Sequence, residues 1–81
     1  MSNMSFNYSK LRGKIYEKFR SQTEFAKALN TNDKAVTMIL TRKRFFRDYE
    51  IVEWCKLLGI DNSDIPEYFF TPEVQENKLS D

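Results

Sequence analysis

The sequence predicts an all-α fold, a compact bundle of about five short helices. Apolar residues recur at helical spacing in successive segments, and residues typical of helix caps stand between those segments. Only two glycines and two prolines are present, which is too few for a turn-rich β-sandwich or barrel. A chain of 81 residues has room for one hydrophobic core, so we expect a single domain.

The first helix is predicted from Ser9, a candidate N-cap, to Phe19. Leu11, Ile15 and Phe19 recur at i, i+4 and i+8, which places them on one face of a helix. Residues 1–7 are short, polar and without periodicity, so we expect a flexible lead-in before this helix.

The second helix is predicted over residues 22–29. The run from Ser21 to Glu24 has the pattern of a capping box, in which the serine hydroxyl accepts from the glutamate backbone N–H and the glutamate carboxylate reaches back. The apolar face of this helix consists of Phe25, Ala26 and Leu29.

The third helix is predicted over residues 33–41, after a short interruption. Asn30 is able to take the left-handed conformation that ends a helix, and Asn32 is a candidate N-cap. Asp33 in the first turn suits the helix dipole. The inward residues of this helix are Val36, Ile39 and Leu40.

The fourth helix is predicted over residues 49–58, with Asp48 as its cap and Gly59 directly after its end. Its inward stripe consists of Ile51, Trp54, Cys55 and Leu58.

A short fifth helix is predicted from Ser63 or Asp64 to Phe70. Residues 72–81 form a polar tail, so the predicted domain spans residues 8–71. The inward residues of this helix are Ile65 and Phe69.

The charge is polarised along the chain, although the net charge is only +1. Residues 1–47 carry eleven Lys and Arg against three Asp and Glu, a net charge of +8. Residues 48–81 carry two against nine, a net charge of −7. A basic first half favours a polyanionic partner on one side of the fold, and the alternative is that the two halves pair with each other.

Several function classes find no support in the sequence. There is no histidine, so the usual general base near neutral pH is missing, and the single cysteine excludes an intrachain disulfide and a Cys-based zinc site. No glycine-rich phosphate-binding motif is present. We therefore expect no enzymatic activity, no cofactor and no metal. No apolar stretch reaches the roughly 20 residues of a membrane helix, and no secretory segment follows the N-terminus, so we expect a cytoplasmic protein.

Helices two and three have the spacing of a helix-turn-helix. Where the two helices of such a motif cross, the first helix needs an apolar and a small residue, and here these are Phe25 and Ala26. The first helix also needs an apolar residue at its C-terminal end, which is Leu29. The motif also needs apolar residues that face back from the second helix, here Val36 and Ile39. The second helix of such a motif is the one that enters the DNA major groove.

These residues resemble the Cro/repressor family of phage helix-turn-helix proteins. Residues 21–29 match the family pattern T-Q-x-E-[LF]-A-x-x-L closely, and the likeness continues through residues 35–40. Residues 57–60 and 67–70 resemble the ends of the family's fourth and fifth helices, and residues 8–13 resemble small phage Cro-like proteins. The resemblance implies a sequence-specific regulator that binds double-stranded operator DNA as a homodimer and occludes a promoter.

The resemblance also implies which residues touch DNA. The base-reading positions on helix three are Asp33, Lys34, Thr37 and Met38. The positions that face phosphates are Gln22, Thr41, Arg42, Lys43, Arg44 and Arg47. For each of them, the alternative is an ordinary solvent-facing residue. Of Phe45 and Phe46 within the basic loop, one is expected to pack into the core.

One departure from the family pattern motivates a second hypothesis. The first base-reading position holds Asp33, whose carboxylate is repelled by phosphate and accepts only from cytosine among the base edges. The chain is then a small modulator or antirepressor that keeps the helix-turn-helix fold and binds a partner repressor protein. The aromatic end of the domain, for which core packing is the alternative, is a possible interface formed by Tyr68, Phe69 and Phe70.

Overall fold

The helices begin and end close to the residues that the sequence predicts. A computed structural model describes residues 6–73 of the chain. Its elements, in chain order, are α1 (Ser9–Phe19), α2 (Gln22–Ala28), α3 (Asp33–Leu40), α4 (Asp48–Leu58), a 3₁₀ turn (Asn62–Asp64) and α5 (Ile65–Phe69). The predicted all-α bundle of five short helices is confirmed.

Tyr8 is the N-cap of α1, and Asn7, predicted to lie in the flexible lead-in, supplies a side-chain acceptor there. The Asn7 side-chain oxygen accepts from the Ser9 backbone N–H at 2.8 Å. Ser9, predicted as the N-cap, is instead the first helical residue. At the other end Arg20 closes the helix in the left-handed conformation, with φ at 72°.

The start of α4 also differs by one residue from the prediction. Asp48 is the first helical residue and Arg47 precedes it as the N-cap. The Glu50 carboxylate accepts from the Arg47 backbone N–H at 2.8 Å, which satisfies a donor that the helix leaves open. Gly59 ends α4 with φ at 69°, as its position in the sequence indicated.

A four-residue connection joins α2 to α3 in a helix-turn-helix. The Ser21 hydroxyl accepts from the Glu24 backbone N–H at 3.1 Å, as predicted, whereas the Glu24 carboxylate lies 3.4 Å from Lys27 Nζ. In the connection, Asn30 adopts the left-handed conformation with φ at 64°. The Asn32 side-chain oxygen caps α3 by accepting from the Ala35 backbone N–H at 2.9 Å, so both predictions for the two asparagines are confirmed.

Replacing the cap of α3 is expected to weaken the domain measurably. Asn32→Ala removes the acceptor for the Ala35 N–H and should lower the free energy of unfolding by about 1 kcal/mol. Urea denaturation followed by circular dichroism measures this change. The matched control is Asn62→Ala in the exposed 3₁₀ turn, which should change the free energy by less than about 0.5 kcal/mol. Equal effects of the two substitutions would contradict the capping role.

The hydrophobic core lies between the four longer helices and α5. Trp54 is at its centre, with the rings of Phe25 and Phe46 each edge-on to the indole at centroid distances of 4.8 Å. Phe46 is thus the loop aromatic that packs inward, and Phe45 is 86% exposed. The buried apolar residues are Tyr8, Leu11, Ile15, Phe25, Ala26, Val36, Ile39, Leu40, Trp54, Cys55, Leu58, Ile60 and Phe69.

The two ends of the described chain lie against each other. The Asn7 backbone N–H donates to the Thr71 carbonyl at 2.7 Å, and Phe6 pairs with Pro72 in an isolated antiparallel bridge. The Phe6 ring also lies edge-on to Phe70 at 5.5 Å. Phe6 and Asn7, predicted to belong to a flexible lead-in, are therefore packed against the other end of the domain. The rest of the predicted lead-in and of the predicted tail falls outside the described residues.

Candidate recognition surface

The outer face of α3 carries the four residues predicted to read bases. Asp33, Lys34 and Thr37 are exposed, whereas Met38 is half-buried. The Met38 carbonyl accepts from the Lys43 and Arg44 backbone N–H groups, at 2.8 and 3.1 Å, so the loop folds back onto this end of the helix. The structure thus places three of the four side chains where a partner can reach them, and Met38 is less available than expected.

A hydrogen-bonded group links the start of α2 to α3. The Gln22 amide nitrogen lies 2.9 Å from an Asp33 carboxylate oxygen and 2.7 Å from the Thr37 hydroxyl. Because a side-chain amide has two N–H donors, both are engaged. The remaining amide oxygen is an acceptor, as phosphate oxygens are, so Gln22 in this arrangement has no donor left for a DNA backbone. It holds the Asp33 carboxylate instead.

The cations after α3 divide into engaged and available side chains. Arg42, in the left-handed conformation, donates to the Phe6 carbonyl at 3.3 Å and lies 4.0 Å from the Glu73 carboxylate. The Thr41 hydroxyl donates to the Thr37 carbonyl at 2.7 Å. Lys43 is exposed and takes part in no ion pair among residues 6–73.

Arg44 was predicted to face phosphates, but in the structure it pairs with Glu50 and its side chain is only 27% exposed. Its guanidinium donates two parallel hydrogen bonds to the Glu50 carboxylate, at 2.7 and 3.2 Å. The Glu50 side chain is only 13% exposed. The hydrogen bonds from Arg44 hold the pKa of Glu50 below its ordinary value of 4.5. The exposed Arg47 lies at 4.0 Å from the same carboxylate, so two arginines face Glu50.

Of the three aromatic residues predicted as a possible interface, Tyr68, Phe69 and Phe70, only Phe70 is well exposed. Phe69 is fully buried, with its ring 5.1 Å from that of Phe46, so the structure places it in the core and not at an interface. Tyr68 is half-buried beneath the Lys14 ammonium, 5.7 Å from its ring centre. Phe70 is the exposed member of the three.

Sequence reasoning missed an apolar surface on the outside of α4. Tyr49 and Val52 are 55% and 53% exposed, and they recur with Lys56 at i, i+3 and i+7 on the face opposite the core. The signal was present in the sequence, because these residues lie off the inward stripe of the helix. Spacing alone does not mark them as a site, because single exposed apolar residues are common on protein surfaces.

The described residues were also compared with the requirements of a reactive cysteine, a metal site and a membrane-spanning helix. Cys55 is buried, and burial raises the pKa of its thiol, which keeps it in the less reactive form. Across residues 6–73, His, Cys, Asp and Glu side chains form no group of three that suits a metal ion. Nor does that part of the chain include a helix long and apolar enough to cross a membrane.

Together, the capped α2–turn–α3 unit and the five-helix bundle define a small helix-turn-helix domain. The chain belongs to the family described as "Protein of unknown function (DUF739)", whose model matches residues 4–72. The sequence resembles the Cro/repressor family, and the family that the comparison shows is this one.

A solved structure gives a second point of comparison. The chain is similar to the modulator of repression (MOR) of the temperate bacteriophage TP901-1 from Lactococcus lactis, known from a solution structure. The two share 39% sequence identity over 82% of this chain and 89% of that one, with a TM-score of 0.74. No curated protein matches the chain.

Proposed function

We propose that this chain is a modulator of repression, a non-enzymatic phage regulator that binds a repressor protein. The similarity to the TP901-1 modulator carries this proposal, because 39% identity extends over 82% of this chain and 89% of that one. Of the two hypotheses drawn from the sequence, the similarity favours the modulator over a DNA-reading Cro-type repressor.

The α3 surface supports a protein partner on chemical grounds. Asp33 carries a negative charge at the position that would come first to the bases, and Gln22 fixes that carboxylate in place. Phosphate repels a carboxylate, whereas a repressor must present basic residues in order to bind DNA. Opposite charges across an interface speed association and favour one partner over others.

The proposal is tested with the purified repressor encoded at the same genetic locus. We expect a mixture of the two proteins to sediment as a heterocomplex in analytical ultracentrifugation, faster than either protein alone. Independent sedimentation of the two proteins at micromolar concentrations would overturn the proposal. The chain alone, over the same concentration range, gives its own oligomeric state as the control.

Operator binding as a homodimer is the second candidate, and the exposed cations Lys34, Lys43 and Arg47 support it. If it holds, Lys34→Ala should weaken operator binding by about 1–3 kcal/mol and relax specificity at one base pair. Fluorescence anisotropy against operator variants measures both effects. Lys56→Ala, in the acidic half of the chain, is the control and should leave the binding curve unchanged. A wild-type chain that binds all duplexes equally weakly would exclude this candidate.

A further inference from the structure

The face of α4 that points away from the core is both apolar and accessible. We call this surface the α4 face, and its residues are Tyr49, Val52, Lys56 and Ile65. Tyr49 and Val52 are each more than half exposed, and Ile65 is half-buried at the start of α5. Large apolar side chains side by side on a surface indicate a place where another molecule docks.

A groove deepens the α4 face between α4 and α5. Its volume is about 390 Å³, and it runs between Val52 on one side and Ile60 and Ile65 on the other. Lys56 and Asn62 stand at its edges, and Cys55 lies at its base. The groove is wide enough to receive an apolar side chain from a partner, which is the arrangement that concentrates binding energy in protein interfaces.

Acidic side chains surround this apolar centre. On the helical wheel, Asp48 lies beside Val52 and Glu53 lies beside Tyr49, so one carboxylate flanks each side of the α4 face. Asp61 and Asp64, in the 3₁₀ turn and its cap, are the sequence neighbours of the groove residues Asn62 and Ile65. All four are exposed, and none takes part in an ion pair among the described residues.

We infer that the α4 face is the docking surface for the basic, DNA-binding surface of the repressor. This inference rests on the proposed function and names a contact surface of the chain in addition to that of α3. The apolar centre receives an apolar side chain of the repressor, and the four carboxylates meet the lysines and arginines that the repressor otherwise turns to phosphate.

Two other occupants fit this surface poorly. DNA is excluded by the carboxylates, because they would face the phosphate backbone with like charge. A second copy of the chain, paired about a two-fold axis through this face, would bring two acidic rims into one interface. The basic surface of the repressor instead offers charges of the opposite sign.

The test is a calorimetric titration of the repressor encoded at the same locus with the full-length chain and its variants. Tyr49→Ala and Val52→Lys should each raise the Kd at least tenfold. Tyr16→Ala is the matched control, since Tyr16 is 56% exposed on α1 and Tyr49 is 55% exposed on α4. It should change the Kd by less than twofold. Circular dichroism verifies that each variant keeps its helices.

A second measurement examines the charged rim. Salt should weaken the wild-type complex, and Glu53→Gln should reduce that salt dependence, whereas Glu17→Gln on α1 should not. If wild-type chain binds the repressor and the Tyr49 and Val52 variants bind equally well, the inference is overturned while the proposed function stands. If the wild-type chain does not bind the repressor at all, both are overturned.

Discussion

Trp54→Ala should lower the free energy of unfolding by about 3–5 kcal/mol, the largest effect that we expect from a single substitution. The indole is 1% exposed, and its edge-on contacts with Phe25 and Phe46 join α2, α4 and the loop between α3 and α4. Alanine leaves a cavity at this junction and removes two aromatic pairs at once. Small domains have only about 5–15 kcal/mol of stability in total, so the variant should be close to unfolding at 37 °C.

Urea denaturation followed by circular dichroism at 222 nm measures the effect. Phe45→Ala is the control, because Phe45 is 86% exposed in the neighbouring loop and its loss should change the free energy by less than about 0.5 kcal/mol. A Trp54→Ala protein that is less than about 1 kcal/mol below the wild type would contradict the central position of this residue.

Glu50→Gln should lower the free energy of unfolding by about 1–3 kcal/mol at neutral pH. The glutamine keeps the size of the side chain, but it loses the charge that receives two hydrogen bonds from Arg44. The guanidinium is then left half-buried without its counter-charge. Since Glu50 is 13% exposed, solvent screens this pair less than it screens a surface ion pair.

The stabilisation by the Glu50–Arg44 pair depends on pH, and the lowered pKa of Glu50 fixes the direction of that dependence. Hydrogen bonds from Arg44 lower the pKa of Glu50 in the folded protein below 4.5, its ordinary value, which we take for the unfolded chain. The stabilisation is therefore present above pH 4.5 and is lost as the pH falls below that value. The difference in unfolding free energy between wild type and Glu50→Gln should narrow over the same range.

Glu67→Gln serves as the matched control for the Glu50 variant. Glu67 pairs with Lys10 across two side chains that are each at least half exposed, and such pairs contribute little to stability. If Glu67→Gln lowers the free energy of unfolding as much as Glu50→Gln does, the part-buried Arg44–Glu50 pair stabilises the fold no more than an exposed pair.

The helices were predictable because local patterns fix them. Apolar spacing located α1 to α4 within a residue or two, and the asparagines at positions 30 and 32 marked the turn of the helix-turn-helix. The N-caps of α1 and α4 each lie one residue before the predicted cap, at Tyr8 and Arg47, and the side chains of Asn7 and Glu50 supply acceptor oxygens there. Several residue types serve as caps, so the sequence alone leaves the choice among neighbours open.

The surface chemistry was less predictable because it depends on contacts between distant residues. Arg44 was assigned to a phosphate, but its pairing with Glu50 requires the loop to fold back over the start of α4. Gln22 was assigned likewise, but it bonds to Asp33, eleven positions away. In both cases the residue type was read correctly as a hydrogen-bond donor, and the three-dimensional fold decided the acceptor.

Different features of the sequence point to different partners, protein or DNA. The basic first half and the helix-turn-helix favoured DNA, whereas Asp33 at the front of α3 opposed it. In the described structure Arg44 pairs with Glu50 and Gln22 bonds to Asp33, while the carboxylates around the α4 face are exposed.

The most direct test is a pair of anisotropy titrations at the same salt concentration. In one, the chain is added to labelled duplexes from its own genetic locus, and in the other it is added to the labelled repressor from that locus. We expect a saturable rise in anisotropy with the repressor and no sequence-dependent rise with DNA. Tight, sequence-specific and strongly salt-dependent binding to DNA, without binding to the repressor, would contradict the proposal that this chain is a modulator of repression.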